Sequence, residues 1–255
     1  MSFGPKRVLK GIDLTIRRGE LVAIVGGSGC GKSVMLDLIT GLLAPSEGRV
    51  SVANHSLPGA PLQDLSTLDE DAFDQIRLHW SVVFQRNALY SGTVLENIAL
   101  WLRQHTGLSD RAIYELARDC LRDVGFTNAE EILDRRRSQL SGGMAKRVAV
   151  ARAIAMNPAI IFYDEPTSGL DPSLCAHLHE LIRTTHERPS ASGSRTSLVI
   201  THDKDMLARL RPRIVMLHDG GVHFDGPYAE FTASQSDVIR PYFELMPALQ
   251  SISIG

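Results

Sequence analysis

The chain has 255 residues, 44% hydrophobic and 22% charged, with a formal net charge of −2 at pH 7. That length can bury a substantial core, and the composition is that of an ordinary globular protein. The near-neutral charge leaves no bulk electrostatic footprint for nucleic acid, and no apolar run reaches the roughly 18 residues of a membrane span. Cys30, Cys120 and Cys175 have neither metal-ligand spacing nor the even count of a disulfide framework, so a reducing compartment is expected. The first seven residues lack the apolar core of a secretory signal, so a membrane role is expected to run through a partner.

Val8 to Ile16 alternates apolar and polar residues, which predicts a half-exposed strand, and Arg17-Arg18-Gly19-Glu20 reads as a turn. Leu21 to Val25 is unbroken and apolar, as in a strand buried on both faces. Gly26-Gly27-Ser28-Gly29-Cys30-Gly31-Lys32-Ser33 then fits G-x-x-x-x-G-K-[ST] at every fixed position. Val34 to Thr40 has helical apolar spacing, and Gly41 offers a stop. Strand, glycine loop and helix arrive in the order a phosphate-binding loop needs. Glycines let backbone N–H groups turn towards phosphate oxygens, and the helix start at Val34 adds unpaired amides and a positive dipole end. Lys32 has the reach for the β- and γ-phosphates, and the Ser33 hydroxyl can coordinate magnesium.

Further along, Arg49 to Val52 alternates again, Asn54 to Asp71 reads as loop, and a short helix is expected near Asp69 to Ile76. Ser81 to Phe84 is a short apolar strand ending at Gln85. Residues 88–140 turn helical, with Ser109 as N-cap of a helix over 110–124 and Gly125 as its left-handed stop. The basic triplet Arg135-Arg136-Arg137 reads as a solvated face. A second helix is expected over 143–156, stopped by Asn157-Pro158. Strands return at 159–163 and 197–200 around a helix near 173–186; Asp219-Gly220-Gly221 marks a hairpin between 213–217 and 222–225. The tail, 236–255, holds one helix-like stretch over 238–246.

Gln85, Asp164 and Thr201-His202 each follow directly on an apolar strand, as Gly26 does. Ligands bind at the carboxyl ends of the strands of a parallel α/β sheet, so four segments should deliver polar groups to one edge. Asp164 is placed to hold magnesium. Glu165 is placed to orient and deprotonate an attacking water.

The ordered set of 26–33, Gln85, LSGGM at 140–144, YDEP at 163–166, SGLD at 168–171 and His202 resembles the ATPase subunit of ATP-binding-cassette (ABC) transporters. The resemblance covers essentially the whole chain. It implies an α/β P-loop fold with a mostly parallel sheet flanked by helices, an N-terminal antiparallel β-subdomain and an inserted α-helical subdomain. The core would be 1–87 and 145–235, the helical part 88–144 and the tail 236–255. It implies ATP and Mg2+ as cofactors, with Ser33, Gln85 and Asp164 on the metal and Gln85, Glu165 and His202 as the catalytic set. Ser141, Gly142 and Gly143 would contact the γ-phosphate of a second copy, so that a homodimer sandwiches two ATP molecules linked through Asp171. Phe3 resembles the adenine-stacking aromatic. Members usually carry one more strand before this point, so a late start or a truncated sheet edge is expected.

Met144 at the fifth signature position, with Phe84 to Tyr90, Val94 to Ile98 and Leu102 to Thr106, is similar to the ATPases of MCE-type lipid transporters, the Mla branch. That implies phospholipid as cargo, integral membrane permease subunits, an MCE-domain lipid-binding partner and a small STAS-type regulatory subunit. It places the chain peripherally on the cytoplasmic face of the inner membrane, with no nucleic-acid partner. Arg86-Asn87 departs from the small residues usual in that branch. The rival readings are an ABC ATPase for an amino acid or drug, a soluble ABC ATPase of DNA repair or translation, and a P-loop kinase.

Overall fold

The computed structural model describes residues 1–4, 6–85 and 89–246, apart from the side chains of Phe3 and Lys6. The expected stacking role of Phe3, the departure at Arg86-Asn87 and the end of the tail therefore lie outside the described residues. The chain opens with a small antiparallel pair, β1 (Ser2–Phe3) and β2 (Lys6–Arg7). The strand expected over 8–16 does not form. Leu9 is buried and Ile12, Leu14 and Ile16 pack beside it, so the alternation records one packed face. The backbone bonds go elsewhere: Val8 and Leu9 N–H donate to the Met1 carbonyl and Lys10 N–H to the Gly220 carbonyl.

Next come β3 (Leu21–Val25) and α1 (Lys32–Ile39). They are followed by an antiparallel pair, β4 (Ser51–Ala53) with β5 (Leu62–Asp64), so the loop expected over 54–71 contains a strand. α2 (Glu70–Arg77) is capped by Asp69, whose carboxylate accepts from Ala72 N–H at 2.8 Å, and leads into β6 (Trp80–Val83). Four helices follow: α3 (Val94–His105), α4 (Asp110–Asp123), α5 (Ala129–Leu133) and α6 (Gly142–Ala155). Ser109 caps α4, and Gly125 after it takes a φ of 85°. Ile98, Leu102, Ile113, Leu121, Leu133 and Val148 meet in one apolar cluster between them.

The rest alternates strand and helix: β7 (Ile160–Asp164), α7 (Pro172–Glu187), β8 (Thr196–Ile200), α8 (Lys204–Leu210), β9 (Arg213–His218), β10 (Gly221–Pro227), α9 (Tyr228–Ala233) and α10 (Ile239–Leu245). The main sheet runs β10-β9-β3-β8-β7-β6, parallel except for the β9–β10 hairpin. Along β3 the side chains alternate between faces. Val22 and Ile24 pack with Met35, Leu36 and Leu38 of α1, while Ala23 and Val25 pack with Leu207, Phe231 and Ile239 of α8, α9 and α10. Both faces are covered, which is why these strands read as continuous apolar runs.

Candidate functional site

Strand register sets the site. Ile24 of β3 pairs with Ile200 of β8, and Ile200 pairs with Asp164 of β7, so three strands end in one row. Val83 of β6 pairs with Tyr163, which brings Gln85 to the same edge. The four segments expected to converge do converge.

At β3 the chain turns at Gly26, with φ 147°; a Cβ there would lie 2.4 Å from the Leu217 carbonyl oxygen and 2.7 Å from Cys30 Sγ. Only glycine fits. Gly27, Ser28, Gly29 and Ser33 are exposed, Cys30 is half-buried and Gly31 buried, with φ 105°. Gly31 is also the N-cap of α1, with no side-chain cap and no acidic residue in the first turn. The amides of Lys32, Ser33 and Val34 thus sit at an uncapped helix start, the arrangement that accepts an anion. Lys32 Nζ donates to the Gly26 and Gly27 carbonyls at 2.7 and 3.1 Å, which holds the ammonium at the loop.

At the neighbouring edge, burial pushes the Asp164 carboxyl up, and the charge of Glu165 adds to it; a Gln85 backbone hydrogen bond and Lys146 oppose the shift. A half-buried carboxyl beside the charge of Glu165, Asp164 is the group here that fits a divalent cation. Among the described residues no group of three or more His, Cys, Asp or Glu side chains forms a metal cluster. Magnesium takes one or two carboxylates and completes its shell with water and substrate phosphate.

Glu165 is buried and holds a left-handed backbone, φ 47°, which costs a non-glycine residue on the order of 1 kcal/mol. Its N–H donates to the Ile200 carbonyl at 2.9 Å, and its carbonyl accepts from Lys146 Nζ at 2.8 Å and Ser168 N–H at 3.2 Å. These three bonds hold the strained turn. Its carboxylate Oε1 meets His202 Nδ1 at 2.7 Å. The carboxylate oxygen accepts, so His202 Nδ1 is the donor of this bond and Nε2 is left for a further partner. Behind His202, Asp203 accepts from Thr167 Oγ1 and His179 Nε2, both at 2.9 Å.

The signature residues lie elsewhere on the chain. Ser141 caps α6, accepting from Met144 N–H at 3.2 Å, and both Ser141 and Gly142 are exposed. α6 packs against α3, α4 and β6. Asp171 caps α7 through Leu174 N–H at 3.0 Å and is exposed. Both groups sit at helix starts. Lys146, Thr167, His179, Asp203 and Tyr242 also support the site and escaped sequence reasoning, because each acts through a contact distant in sequence.

Residues 9–168 match the family model of ABC transporters. The chain belongs to that family. It is an ATP-binding subunit of an ABC transporter and an ATP hydrolase, with ATP and Mg2+ as cofactors. It is 34% identical over 254 residues to the chloroplastic protein trigalactosyldiacylglycerol 3 of Arabidopsis thaliana, covering 94% of this chain and 70% of that protein. It is 39% identical over 223 residues to the lipoprotein-releasing system ATP-binding protein of Anaeromyxobacter dehalogenans, covering 87% of each. The solved ATP-binding cassette MJ0796, a dimer in a post-hydrolysis state with ADP and Pi, superposes with a TM-score of 0.76 at 33% identity, covering 89% of this chain and 94% of that one. Some relatives are longer: the chain spans 64% of the methionine import ATP-binding protein of Brucella abortus. No described helix is long and apolar enough to cross a membrane.

Proposed function

We propose that this protein is the energy-coupling ATPase of a phospholipid transporter of the bacterial envelope. The observation that carries the ATPase part is the single sheet edge joining the loop at 26–33, Asp164-Glu165 and the Glu165–His202 bond. Two things support a lipid cargo: the lipid in the name of the plant relative, and Met144 with the segments 94–98 and 102–106.

In this reading Gly27 to Val34 amides and Lys32 bind the triphosphate, and Phe3 stacks on the base. Ser33, Asp164 and Gln85 hold Mg2+, which when bound supplies positive charge to the phosphate oxygens. Glu165 takes the proton of the attacking water, a role worth ~10²–10⁴ in rate. His202 orients the Glu165 carboxylate through Nδ1. Ser141, Gly142 and Gly143 complete the γ-phosphate site of a second copy, and Asp171 links the two sites, so the working unit is a homodimer around two ATP molecules. The helical segment 88–144 is a subdomain inserted between the core segments 1–87 and 145–235. The dimer sits on the cytoplasmic face of the inner membrane, held by permease subunits, with MCE-domain and STAS-type partners.

Glu165→Gln should leave ATP binding intact and lower kcat by ~10²–10⁴. Wild-type turnover in that variant would remove Glu165 from the mechanism. Isolation of the complex from native membranes tests the cargo: phospholipid and an MCE-domain subunit support it, whereas a periplasmic solute-binding protein sinks it. Amino-acid import is the second reading, favoured by the histidine transport ATP-binding protein of Pseudomonas aeruginosa, 33% identical over 245 residues.

A further inference from the structure

The C-terminal helix α10 reaches the start of the phosphate loop. Tyr242 Oη accepts from Gly26 N–H at 2.9 Å and donates to the Gly26 carbonyl at 3.3 Å. One hydroxyl therefore satisfies both backbone groups of the residue where β3 turns into the loop. The same carbonyl also receives Lys32 Nζ at 2.7 Å, so tyrosine and lysine meet on one oxygen. No side chain fits at Gly26, because a Cβ there would meet the Leu217 carbonyl oxygen and Cys30 Sγ.

The helix is anchored independently of this contact. Ile239 is buried, Phe243 packs edge-on against Phe231 with centroids 5.8 Å apart, and Lys204 Nζ lies 4.3 Å from the Phe243 ring centroid. Burial pushes the Tyr242 phenol up, and although the Gly26 hydrogen bond opposes this, the charges of Cys30 and Glu165 add to it. Tyr242 thus keeps its proton at neutral pH and stays a donor.

We propose that Tyr242 is a positioning residue for nucleotide binding, pinning Gly26 and the Lys32 ammonium so that α10 preorganises the phosphate loop. The inference rests on reading 26–33 as that loop. Preorganisation lowers the ordering cost of binding. Without the hydroxyl the buried Gly26 N–H loses its partner and the loop start gains alternatives that ATP must suppress. The effect falls on binding, because Tyr242 bonds the base of the loop while the groups assigned to the chemical step are Glu165 and His202.

The test is Tyr242→Phe in the full-length protein, which keeps the ring and removes only the oxygen. The KM for ATP should rise about three- to tenfold, with kcat within about twofold of wild type. Hydrogen exchange adds a readout on the wild type itself: without nucleotide the Gly26 amide should be protected, and in the variant it should exchange faster. A folded variant with unchanged or lowered KM overturns the proposal, as does rapid exchange of Gly26 in the wild type. Lys32→Ala separates this failure from that of the reading beneath it. If Lys32→Ala still binds ATP normally, the loop assignment fails; if it loses ATP while Tyr242→Phe matches wild type, only the role of Tyr242 fails.

Discussion

Asp203→Ala should destabilise the protein far more than an ordinary substitution next to the exposed His202. Asp203 Oδ1 accepts from Met206 N–H at 3.0 Å as the N-cap of α8. Oδ2 accepts from Thr167 Oγ1 and from His179 Nε2, each at 2.9 Å. His179 is fully buried, and its Nδ1 has no partner among the described residues, so this carboxylate holds the ring's one satisfied nitrogen. Losing the cap costs about 1 kcal/mol. Stranding the buried hydroxyl and imidazole adds about 1–3 kcal/mol each, less what relaxation recovers, so about 3–5 kcal/mol is expected in total. Asp203→Asn keeps the cap but loses an acceptor and the charge, and should cost less. Urea unfolding at pH 7 measures both. The sign with pH also follows. Burial pushes the Asp203 carboxyl up, yet the hydrogen bonds from His179, Met206 and Thr167 outweigh burial, so the folded value is depressed. Stabilisation by a depressed carboxyl is complete above the unfolded value near ~3.9 and is lost as pH falls through the folded one, so the wild-type advantage should narrow in that acid range. A loss under about 1 kcal/mol for Asp203→Ala at pH 7 would refute the reasoning.

Gly26→Ala should cost at least about 2 kcal/mol, because its Cβ meets the Leu217 carbonyl oxygen at 2.4 Å and the φ of 147° is strained for alanine; Gly27→Ala, with open space around it, should stay within ~0.5 kcal/mol in thermal unfolding. Lys146→Met removes the ammonium that clamps the Glu165 and Ser168 carbonyls, and steady-state kinetics should show kcat down about 10- to 100-fold with KM little changed. An unchanged kcat would mean that the Glu165 turn holds without it. Mixing Lys32→Ala with Ser141→Arg, each inactive alone, should restore ATP-dependent dimers, since one intact composite site survives per mixed pair; size exclusion with ATP reads this, and no dimer would argue against a shared site.

The fold was legible where local constraint is strict. β3, β7 and β8 lie between helices on both faces, so the runs 21–25, 160–163 and 198–200 had to be apolar. Ser109 and Gly125 bracket α4 through a cap and a left-handed stop that few other residues supply. Residues 8–16 mislead because alternation reports burial of one face and says nothing about a ladder partner. β5 escapes because three residues, Leu62–Asp64, carry too little pattern against the glycines and prolines around them. α8 and α9, at seven and six residues, complete too few turns for a 3.6-residue period to stand out.

The site divides along the same line. Gly26, Lys32, Asp164, Glu165 and His202 were legible because the backbone turn or the chemistry demands that residue type at that strand end. Their supports were not. Lys146 grips the Glu165 carbonyl across 19 residues, His179 reaches Asp203 across 24, and Tyr242 reaches Gly26 across 216. A hydrogen bond to a backbone carbonyl or a lone carboxylate can come from many donors on many elements, so no periodicity marks its source. These supports meet the strand ends of the site: Glu165 with its left-handed φ, Gly26 where no side chain fits, and the residue directly after His202. Glu165 and Gly26 are points where the chain leaves a strand at positive φ, whereas Asp203 is extended and starts α8. At Glu165 the distant Lys146 ammonium holds a left-handed turn that is costly for a non-glycine residue. Substitutions outside the motifs, at Lys146, His179 or Tyr242, should therefore act on the site through the backbone groups and the carboxylate they hold.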